Sequence, residues 1–482
     1  MRITSDRWGR IPSYLPGSLL HRIATLILTG LTVCLSIGDR NCEANPKNGS
    51  VPNIILILAD DLGYGDLGCY GQQRIKTPSI DKMAAEGLRF TDHYAGSTVC
   101  APSRCVLMTG LHTGHCLVRN NREVKPMGQM PLTPDTVTVA RLLKRAGYAT
   151  GLVGKWGLGG PGSTGVPNRQ GFDYFFGYLC QRHAHNYYPE FLFRNTDRIP
   201  LAGNRVAKPR EDGAGMAVQR GQYAYDLCAD EALQFVERNK ERPFFLYFSP
   251  TIPHANNEAG GKGMEVPSLG DYADLDWPEP QKGHAAMISL LDADVGRLLA
   301  RLKELELDEK TLVFFTSDNG PHREGGADPN FNDSNGPLRG IKRDLYDGGI
   351  RVPMIARWPG KIRPGTETDH VSAFWDFLPT ACDLAGVESP ENIDGISYLP
   401  TLLGDDTRQN KHEYLYWKYY GNRAVRMGKW KAVGQPTGNR LQLFDLEADP
   451  GESKNVAADN PQVVDRMKTI MEAADVESPD FK

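Results

Sequence analysis

The chain has 482 residues, 40% of them hydrophobic and 24% charged, so it can fold as one large or two ordinary globular domains. Its formal net charge of −4 argues against a nucleic-acid-binding protein, which would carry a basic surface. Past residue 40, no stretch approaches the roughly 20 apolar residues of a membrane-spanning helix, so we expect no stable membrane span in the mature chain.

The N-terminal segment has the pattern of an export signal. Arg2, Arg7, Arg10 and Arg22 precede a short apolar run at residues 23–37, and a basic region followed by such a run is typical of secretory signal peptides. We therefore expect residues 1–48 to be a signal peptide and linker, and the mature protein to be periplasmic or secreted. A single N-terminal anchor helix stays open as the alternative.

The cysteines argue against a zinc site. Nine are present, and none forms a CxxC pair or the Cys/His spacing of a structural zinc site. An exported protein can form disulfides, but an odd number of cysteines remains once the signal segment is set aside. One cysteine is therefore left over for chemistry.

Apolar runs that end in polar residues predict the strands of a parallel sheet. Each run is continuous rather than alternating, as expected for strands that are buried on both faces. Amphipathic stretches at 136–147 and 285–306 predict helices between them, and strands that alternate with helices indicate an α/β domain. The predicted strands lie within residues 51–61, 148–157, 242–254, 310–320 and 350–359.

Polar and charged residues follow the ends of four of these strands. In open α/β sheets the ligand crevice lies outside the carboxyl ends of the strands, so residues far apart in sequence meet there. We expect one site that contains Asp60, Asp61, Lys155, His254, Asp318 and Asn319.

The pattern changes after about residue 400. Short alternating stretches broken by Gly, Asn and Pro predict antiparallel strands, and residues 462–475 predict a closing amphipathic helix. We therefore predict a main α/β domain in residues 49–400, with a large, mostly parallel mixed sheet flanked by helices. Residues 401–482 are predicted to form a small C-terminal α+β domain with a short antiparallel sheet.

Four oxygen-bearing residues at the strand ends suggest a metal site. Asp60 and Asp61 are adjacent carboxylates that repel each other when buried, unless a cation lies between them. Helix capping by Asp61 and an arginine partner for Asp60 are the alternative. A second strand that ends in Asp318 and Asn319 favours the metal, and hard oxygen ligands suit Ca²⁺ or Mg²⁺.

Cationic side chains near these positions suggest an anionic substrate. Arg104, Lys155, His254 and Lys342 offer positive charge and proton donors, which a tetrahedral oxyanion requires. Surface ion pairs are the alternative for each of them alone. Lys342 lies in a glycine-bracketed segment, PLRGIKRDLYDGG, where loop placement favours function.

The stretch STVCAPSRCVLMTG at residues 97–110 carries a resemblance to a known family. Cys100-Ala101-Pro102-Ser103-Arg104, followed by LMTG, is similar to the C-x-P-S-R signature of the formylglycine-dependent sulfatases of the alkaline phosphatase superfamily. In that family a separate enzyme oxidises this cysteine to Cα-formylglycine. The aldehyde hydrates, and one hydroxyl of the hydrate is the nucleophile. The resemblance thus implies a formylglycine-generating enzyme as a partner, and Arg104 as a support for the modified residue.

The resemblance extends over about residues 50–482. The blocks PNIILILADD, GKWGLGG, PTIPHA, FFTSDNGPH, LYDGGIRVPMIARWPG and LFDLEADPGESKN occur in the family's order. The resemblance implies that 49–400 is a catalytic sulfatase domain. It further implies one Ca²⁺ (or Mg²⁺) on Asp60, Asp61, Asp318, Asn319 and the modified Cys100, and sulfate contacts from Lys155, His254 and Lys342.

The chain departs from the family pattern at one position. The usual block is G-K-W-H-L-G, whose histidine is credited with removing a proton from the formylglycine hydrate, and Gly157 stands here instead. His183, His185 and His322 are candidate replacements, with substrate contact or a surface position as the alternative. Gln181 lies near the place of a family serine close to the sulfate.

The leading hypothesis is an exported hydrolase of sulfate monoesters, acting on sulfated carbohydrates or aryl sulfates. A phosphonate monoester hydrolase or phosphodiesterase of the same superfamily is the first alternative, because such enzymes can carry the same C-x-P-S-R segment. The second alternative is a sulfated-glycan-binding protein without turnover, because Gly157 lacks the usual base.

Overall fold

A computed structural model of the chain describes residues 51–437 and 441–481. The expected signal peptide, and the anchor helix that was its alternative, lie outside the described residues. Within the described part of the chain, no helix has both the length and the apolar character needed to cross a membrane.

The strands of the described residues form one large sheet and three small ones. In chain order, the described residues contain β1 (Asn53–Ala59), β2 (Leu88–Phe90), β3 (His93–Tyr94), β4 (Ala149–Lys155), β5 (Tyr174–Tyr178), β6 (Phe191–Arg194), β7 (Asp197–Pro200), β8 (Arg205–Val206), β9 (Ala217–Gln219), β10 (Phe244–Ser249), β11 (Thr311–Ser317), β12 (Met354–Arg357), β13 (Thr366–Thr368), β14 (Ser372–Ala373), β15 (Leu415–Tyr419), β16 (Asn422–Met427), β17 (Trp430–Gly434) and β18 (Gln442–Asp445).

The large sheet has ten strands in the order β13-β2-β12-β11-β1-β10-β4-β5-β6-β7. Its centre is parallel, because β1 pairs in parallel with β10 and β11, and β4 pairs in parallel with β10 and β5. The strand predicted at 350–359 is present as β12, but it runs antiparallel to β11. The four strands whose ends carry the predicted site are therefore immediate neighbours.

Helices cover both faces of this sheet. Alternate side chains of β1 enter different apolar clusters: Ile54 and Leu56 pack with residues of α2, α3 and α8, and Ile55 and Ile57 pack with residues of α1, α4 and α5. A strand buried on both faces explains the unbroken apolar run in the sequence. The α-helices in the described residues are α1 (Pro78–Ala85), α2 (Cys100–Thr109), α3 (Val139–Arg145), α4 (Ala224–Arg238), α5 (Glu279–Glu304), α6 (Pro329–Asn332), α7 (Asp347–Ile350), α8 (Phe377–Ala385), α9 (Leu399–Leu402) and α10 (Pro461–Ala473).

The C-terminal part forms a four-stranded antiparallel sheet, β15-β16-β17-β18, on which α10 packs. Its other face joins the main apolar core through residues such as Trp417, whose indole N–H donates to the carbonyl of Ala95 at 2.9 Å. The predicted fold class is thus confirmed: a large mixed sheet flanked by helices, and a short C-terminal antiparallel sheet.

Candidate active site

The site forms where four neighbouring strands end. Asp60 and Asp61 follow β1, Lys155 is the last residue of β4, Ser249 ends β10, and Asp318 with Asn319 follows β11. Asp61 has a φ of 65°, so the chain turns sharply as it leaves β1. The carboxyl ends of parallel strands share one edge, which brings these side chains together from positions more than 250 residues apart.

Cys100 is the first residue of α2 and points at this edge. Its Sγ lies 3.6 Å from Oδ1 of Asp60, and only 2% of the residue is exposed. Burial raises the pKa of the thiol well above its ordinary value, although the nearby Lys155 ammonium opposes that effect. The thiol is therefore protonated at neutral pH, and the unmodified cysteine is not a thiolate nucleophile.

Arg104 follows Cys100 by one helical turn and ties α2 to the strand ends. Its Nε and Nη2 donate to Oδ2 of Asp318 at 3.1 and 2.8 Å, and its Nη1 donates to the carbonyl of Lys155 at 2.7 Å and to Oγ of Ser249. The side chain is fully buried. These bonds fix the helix that carries Cys100 against three strands.

The acidic residues form one cluster. The backbone N–H of Asp61 donates to Oδ1 of Asp318 at 3.1 Å, and Nδ2 of Asn319 donates to Oδ1 of Asp61 at 2.7 Å. Oδ1 of Asn319 is buried and has no hydrogen-bond partner among the described residues. One ligand atom each from Asp60, Asp61, Cys100 and His254 lies within 4.8 Å of the others.

The charges of this cluster are unevenly balanced. Burial raises the pKa of Asp318 to about 7, and the charge of Asp60 adds to that rise. Burial alone would raise the pKa of Asp61 too, but Lys342, His322 and Lys155 outweigh it and hold that pKa at about 2. A divalent cation would relieve the repulsion and occupy the free lone pairs of Asn319, so the residues present fit a hard, oxygen-bound metal.

Lys342 and His254 face the cluster from loops. Nζ of Lys342 lies 2.8 Å from Oδ2 of Asp61, 3.1 Å from Nε2 of His254 and 3.2 Å from Oε2 of Glu324. Nδ1 of His254 lies 2.7 Å from the carbonyl of Ala255, so that nitrogen carries the hydrogen. Nε2 of His254 is then an acceptor for the Lys342 ammonium.

Lys155 forms the opposite side of the cluster. Its Nζ lies 2.6 Å from Oδ2 of Asp60, and both side chains are buried. Burial alone would lower the pKa of Lys155, but the charge of Asp60 more than offsets it and raises the pKa. The structure therefore brings a lysine to each of the two adjacent aspartates.

The other histidines singled out in the sequence occupy different environments. The His185 ring stacks on His254 with centroids 4.9 Å apart, and its Nδ1 lies 3.1 Å from Oε2 of Glu258. The His322 ring also stacks on His254, with centroids 5.7 Å apart. His183 instead packs between aromatic rings of Tyr178 and Phe191, and burial lowers its pKa to about 3. His183 is therefore not brought to the cluster.

Three polar residues at the site were missed by the sequence analysis. Ser249 binds Arg104, Glu324 binds Lys342, and Glu258 binds His185. Ser249 could have been found, because it ends a predicted strand as the other site residues do. Glu324 and Glu258 lie in loops whose sequences carry no comparable signal.

Comparisons with known proteins identify relatives along nearly the whole chain. The Sulfatase family model matches residues 52–387, and the family model described as N-sulphoglucosamine sulphohydrolase, C-terminal, matches residues 341–477. Arylsulfatase A of Homo sapiens is 35% identical, over 87% of this chain and 87% of that protein. N-acetylgalactosamine-6-O-sulfatase of Bacteroides thetaiotaomicron is 33% identical, over 93% of this chain and 98% of that protein.

Solved structures agree with these relatives. The structure of Ps i-CgsB in complex with k-i-k-neocarrahexaose superposes with a TM-score of 0.75 at 28% identity, covering 90% of this chain and 95% of that one. These findings do not favour the phosphodiester, phosphonate or binding-only alternatives. The chain belongs to the sulfatase family of the alkaline phosphatase superfamily, and it is a sulfuric ester hydrolase.

Proposed function

We propose that this protein is an exported, calcium-dependent sulfatase that hydrolyses sulfate monoesters of sulfated carbohydrates. The carrying observation is the convergence of Cys100, two aspartate–lysine pairs and Asn319 at the carboxyl edge of one sheet. The names of the relatives support a carbohydrate substrate, since they include an N-acetylgalactosamine-6-O-sulfatase and a complex with a neocarrahexaose. The basic and then apolar N-terminal sequence supports export.

Asp60, Asp61, Asp318 and Asn319 would hold the metal, beside residue 100. Ca²⁺ is the proposed ion because all four side chains supply oxygen ligands, and Mg²⁺ is the alternative. When bound, the ion supplies positive charge for a sulfate oxygen and for the nucleophile. Elemental analysis of the purified protein, after dialysis against a mixture of Ca²⁺ and Mg²⁺, tests this assignment.

Cys100 is the proposed precursor of formylglycine, made by a separate formylglycine-generating enzyme. The converted residue supplies a hydroxyl nucleophile that can later release sulfate, which an ordinary serine ester cannot do as readily. Residues 97–110 contain the motif that supports this assignment. Arg104 holds the helix that carries residue 100 in place through Asp318 and Ser249.

The cationic side chains bind and orient the ester. Lys155 and Lys342 flank the aspartate pair, so the charge of an entering sulfate is offset on both sides. Lys342 is the proton carrier of the Lys342–His254 pair, because Nε2 of His254 accepts from it. Lys342 therefore donates the proton to the leaving alcohol oxygen, and His254 orients the ammonium.

Mass spectrometry and kinetics together test the proposal. The chain is co-expressed with a formylglycine-generating enzyme, and the mass of the peptide that contains residue 100 is measured. We expect conversion at Cys100, turnover of p-nitrophenyl sulfate, and no turnover after Cys100→Ala. Cys105→Ala is the matched control, because Cys105 is buried in the same helix and should be dispensable for turnover. Full activity of Cys100→Ala, or a higher kcat/KM for phosphodiesters than for sulfates, would refute the proposal.

A further inference from the structure

The space above Gly157 is filled by the side chain of Gln181. A Cβ atom placed on Gly157 would lie 2.3 Å from Nε2 and 3.0 Å from Cδ of Gln181. Gly157 also has a φ of 84°, a conformation that residues with side chains rarely adopt. A side chain at position 157 and Gln181 in its present place therefore exclude each other.

The amide of Gln181 is buried without partners. The residue is 5% exposed, and neither Nε2 nor Oε1 has a hydrogen-bond partner among the described residues. Nearly all buried polar groups in native proteins are paired, and an unpaired one is costly. A buried amide of this kind is explained when a ligand supplies its partners.

Backbone hydrogen bonds hold the segment before Gln181 against the strand end at Lys155. Trp156 N–H donates to the carbonyl of Tyr178 at 2.9 Å, and Gly157 N–H donates to the carbonyl of Leu179 at 3.2 Å. These bonds extend the β4–β5 pairing past Lys155, whose Nζ binds Asp60. Gln181 lies two residues after Leu179, beyond the end of β5. Lys155 and Gln181 therefore lie at the same edge of the sheet.

We propose that the Gln181 amide is a sulfate-binding group that takes the position of the side chain missing at Gly157. It would contact a sulfate oxygen through its N–H and the nucleophilic residue through its carbonyl oxygen. An amide neither gains nor loses a proton near neutral pH, so Gln181 binds and aligns the ester but does not act as a base. This inference rests on the proposed sulfatase function and assigns the local binding group within it.

Binding without chemistry gives the first test. In a Cys100→Ala background, inorganic sulfate is titrated calorimetrically into the protein with and without Gln181→Leu. We expect Gln181→Leu to weaken sulfate binding about 10-fold or more, the typical effect of losing a hydrogen bond to a charged group. Equal sulfate affinity in the two proteins would overturn the proposal.

Kinetics and stability give the second test. For the formylglycine-loaded enzyme, kcat/KM for p-nitrophenyl sulfate should fall about 10²-fold in Gln181→Leu. The Tm should stay the same or rise, because no protein hydrogen bond is lost. Gln170→Leu is the control: Gln170 is buried and donates to the carbonyls of Thr133 and Thr164, so its loss should lower Tm and leave kcat/KM unchanged. A lower Tm with unchanged kcat/KM in Gln181→Leu would mean a structural role only.

Gly157→Ala tests the role of the Gln181 amide without changing Gln181 itself. Its Cβ must displace Gln181, so Gly157→Ala should lower kcat/KM, and combining it with Gln181→Leu should cost little more than Gln181→Leu alone. Fully multiplicative losses would contradict the proposal. A wild-type enzyme with no sulfatase activity would instead refute the proposed function, whereas an active wild type with unaffected Gln181 variants refutes only this inference.

Discussion

At the scale of single residues, the nearby cations stabilise the negative charge of Asp61 better than that of Asp318. Asp61 is held ionised by Lys342, whereas the pKa of Asp318 is raised to about 7 by burial and by Asp60, despite the guanidinium of Arg104. Asn319 contributes an unpaired carbonyl oxygen to the same place. A cation bound there would improve the environment of all of these groups at once.

Asp318→Asn tests whether Asp318 is a ligand of that cation. The substitution preserves shape but removes a charged ligand, so the increase in Tm on adding CaCl₂ should be lost. For the wild-type protein, calcium at about 100 times its Kd should add about 2.7 kcal/mol to the free energy of unfolding. Differential scanning calorimetry with CaCl₂ and with EDTA measures both.

Asp173→Asn serves as the control for Asp318→Asn. Asp173 pairs with Lys144 at 2.6 Å on the surface, so the same chemical change there should leave the calcium effect intact. An undiminished calcium effect in Asp318→Asn would exclude Asp318 as a ligand.

Sequence patterns located the residues at strand ends better than those in loops. A strand that stops at a polar residue fixes that residue's place relative to the sheet, so the grouping of Asp60, Lys155 and Asp318 could be predicted. The position of a loop residue depends on packing that has no periodic pattern. His183 and His185 lie at the two ends of one short 3-10 helix between β5 and β6, yet one packs among aromatic rings and the other stacks on His254.

At the scale of elements, α2 sets the distance between the reactive residue and its support. Cys100 and Arg104 are four residues apart and so lie on one face of the helix, which ends at Gly110 in a left-handed conformation. The strands and the parallel centre of the sheet could be predicted too, but the direction of β12 could not. A continuous apolar run has the same pattern in either direction, so the antiparallel direction of β12 could be learned only from the structure.

An ion pair joins the segment before β15 to the turn before α8, and its strength depends on pH. Nε2 of His412 lies 2.8 Å from Oδ1 of Asp376. Burial alone would lower the pKa of His412, but the charge of Asp376 outweighs it and the pKa is raised. The stabilisation is therefore complete below the unfolded-state value of about 6.5 and is lost as the pH rises through the folded-state value.

His412→Gln should show this dependence. We expect the substitution to reduce the free energy of unfolding by about 1–2 kcal/mol at pH 5.5 and by less at pH 9. Urea unfolding of both proteins at the two pH values measures the difference. An equal loss at both pH values would mean that the charge of His412 contributes nothing.

At the scale of the whole molecule, the C-terminal sheet is tied into the main domain by buried charges. Lys431 of β17 lies 2.5 Å from Oδ1 of Asp347 and 3.0 Å from Oε1 of Glu452, and all three side chains are fully buried. The boundary that we propose near residue 400 thus separates two sheets that share polar and apolar contacts. We expect them to unfold together.

Lys431→Met should destabilise the protein strongly. It removes the cation that Asp347 and Glu452 share, and among the described residues only Asp347 keeps a second one, Arg351 at 3.3 Å. Breaking a buried ion pair in this way costs about 3–5 kcal/mol in the free energy of unfolding. Lys429→Met is the matched control, because Lys429 lies two residues before Lys431 and pairs with Asp445 at the surface, so its loss should not be measurable. Urea unfolding followed by circular dichroism compares them, and a small effect of Lys431→Met would mean that the two sheets are only loosely coupled.

The burial of Cys100 also bears on when the proposed oxidation can take place relative to folding. Only 2% of Cys100 is exposed, so its thiol is out of reach of a second enzyme in the folded chain. The oxidation that we propose must then take place before folding. A purified, folded Cys100 protein should therefore resist conversion in vitro, whereas a synthetic peptide of residues 97–110 should be converted by the same maturation enzyme. Mass spectrometry measures the extent of conversion in the folded protein and in the peptide. Rapid conversion of the folded protein would contradict this order and would require α2 to move away from the sheet.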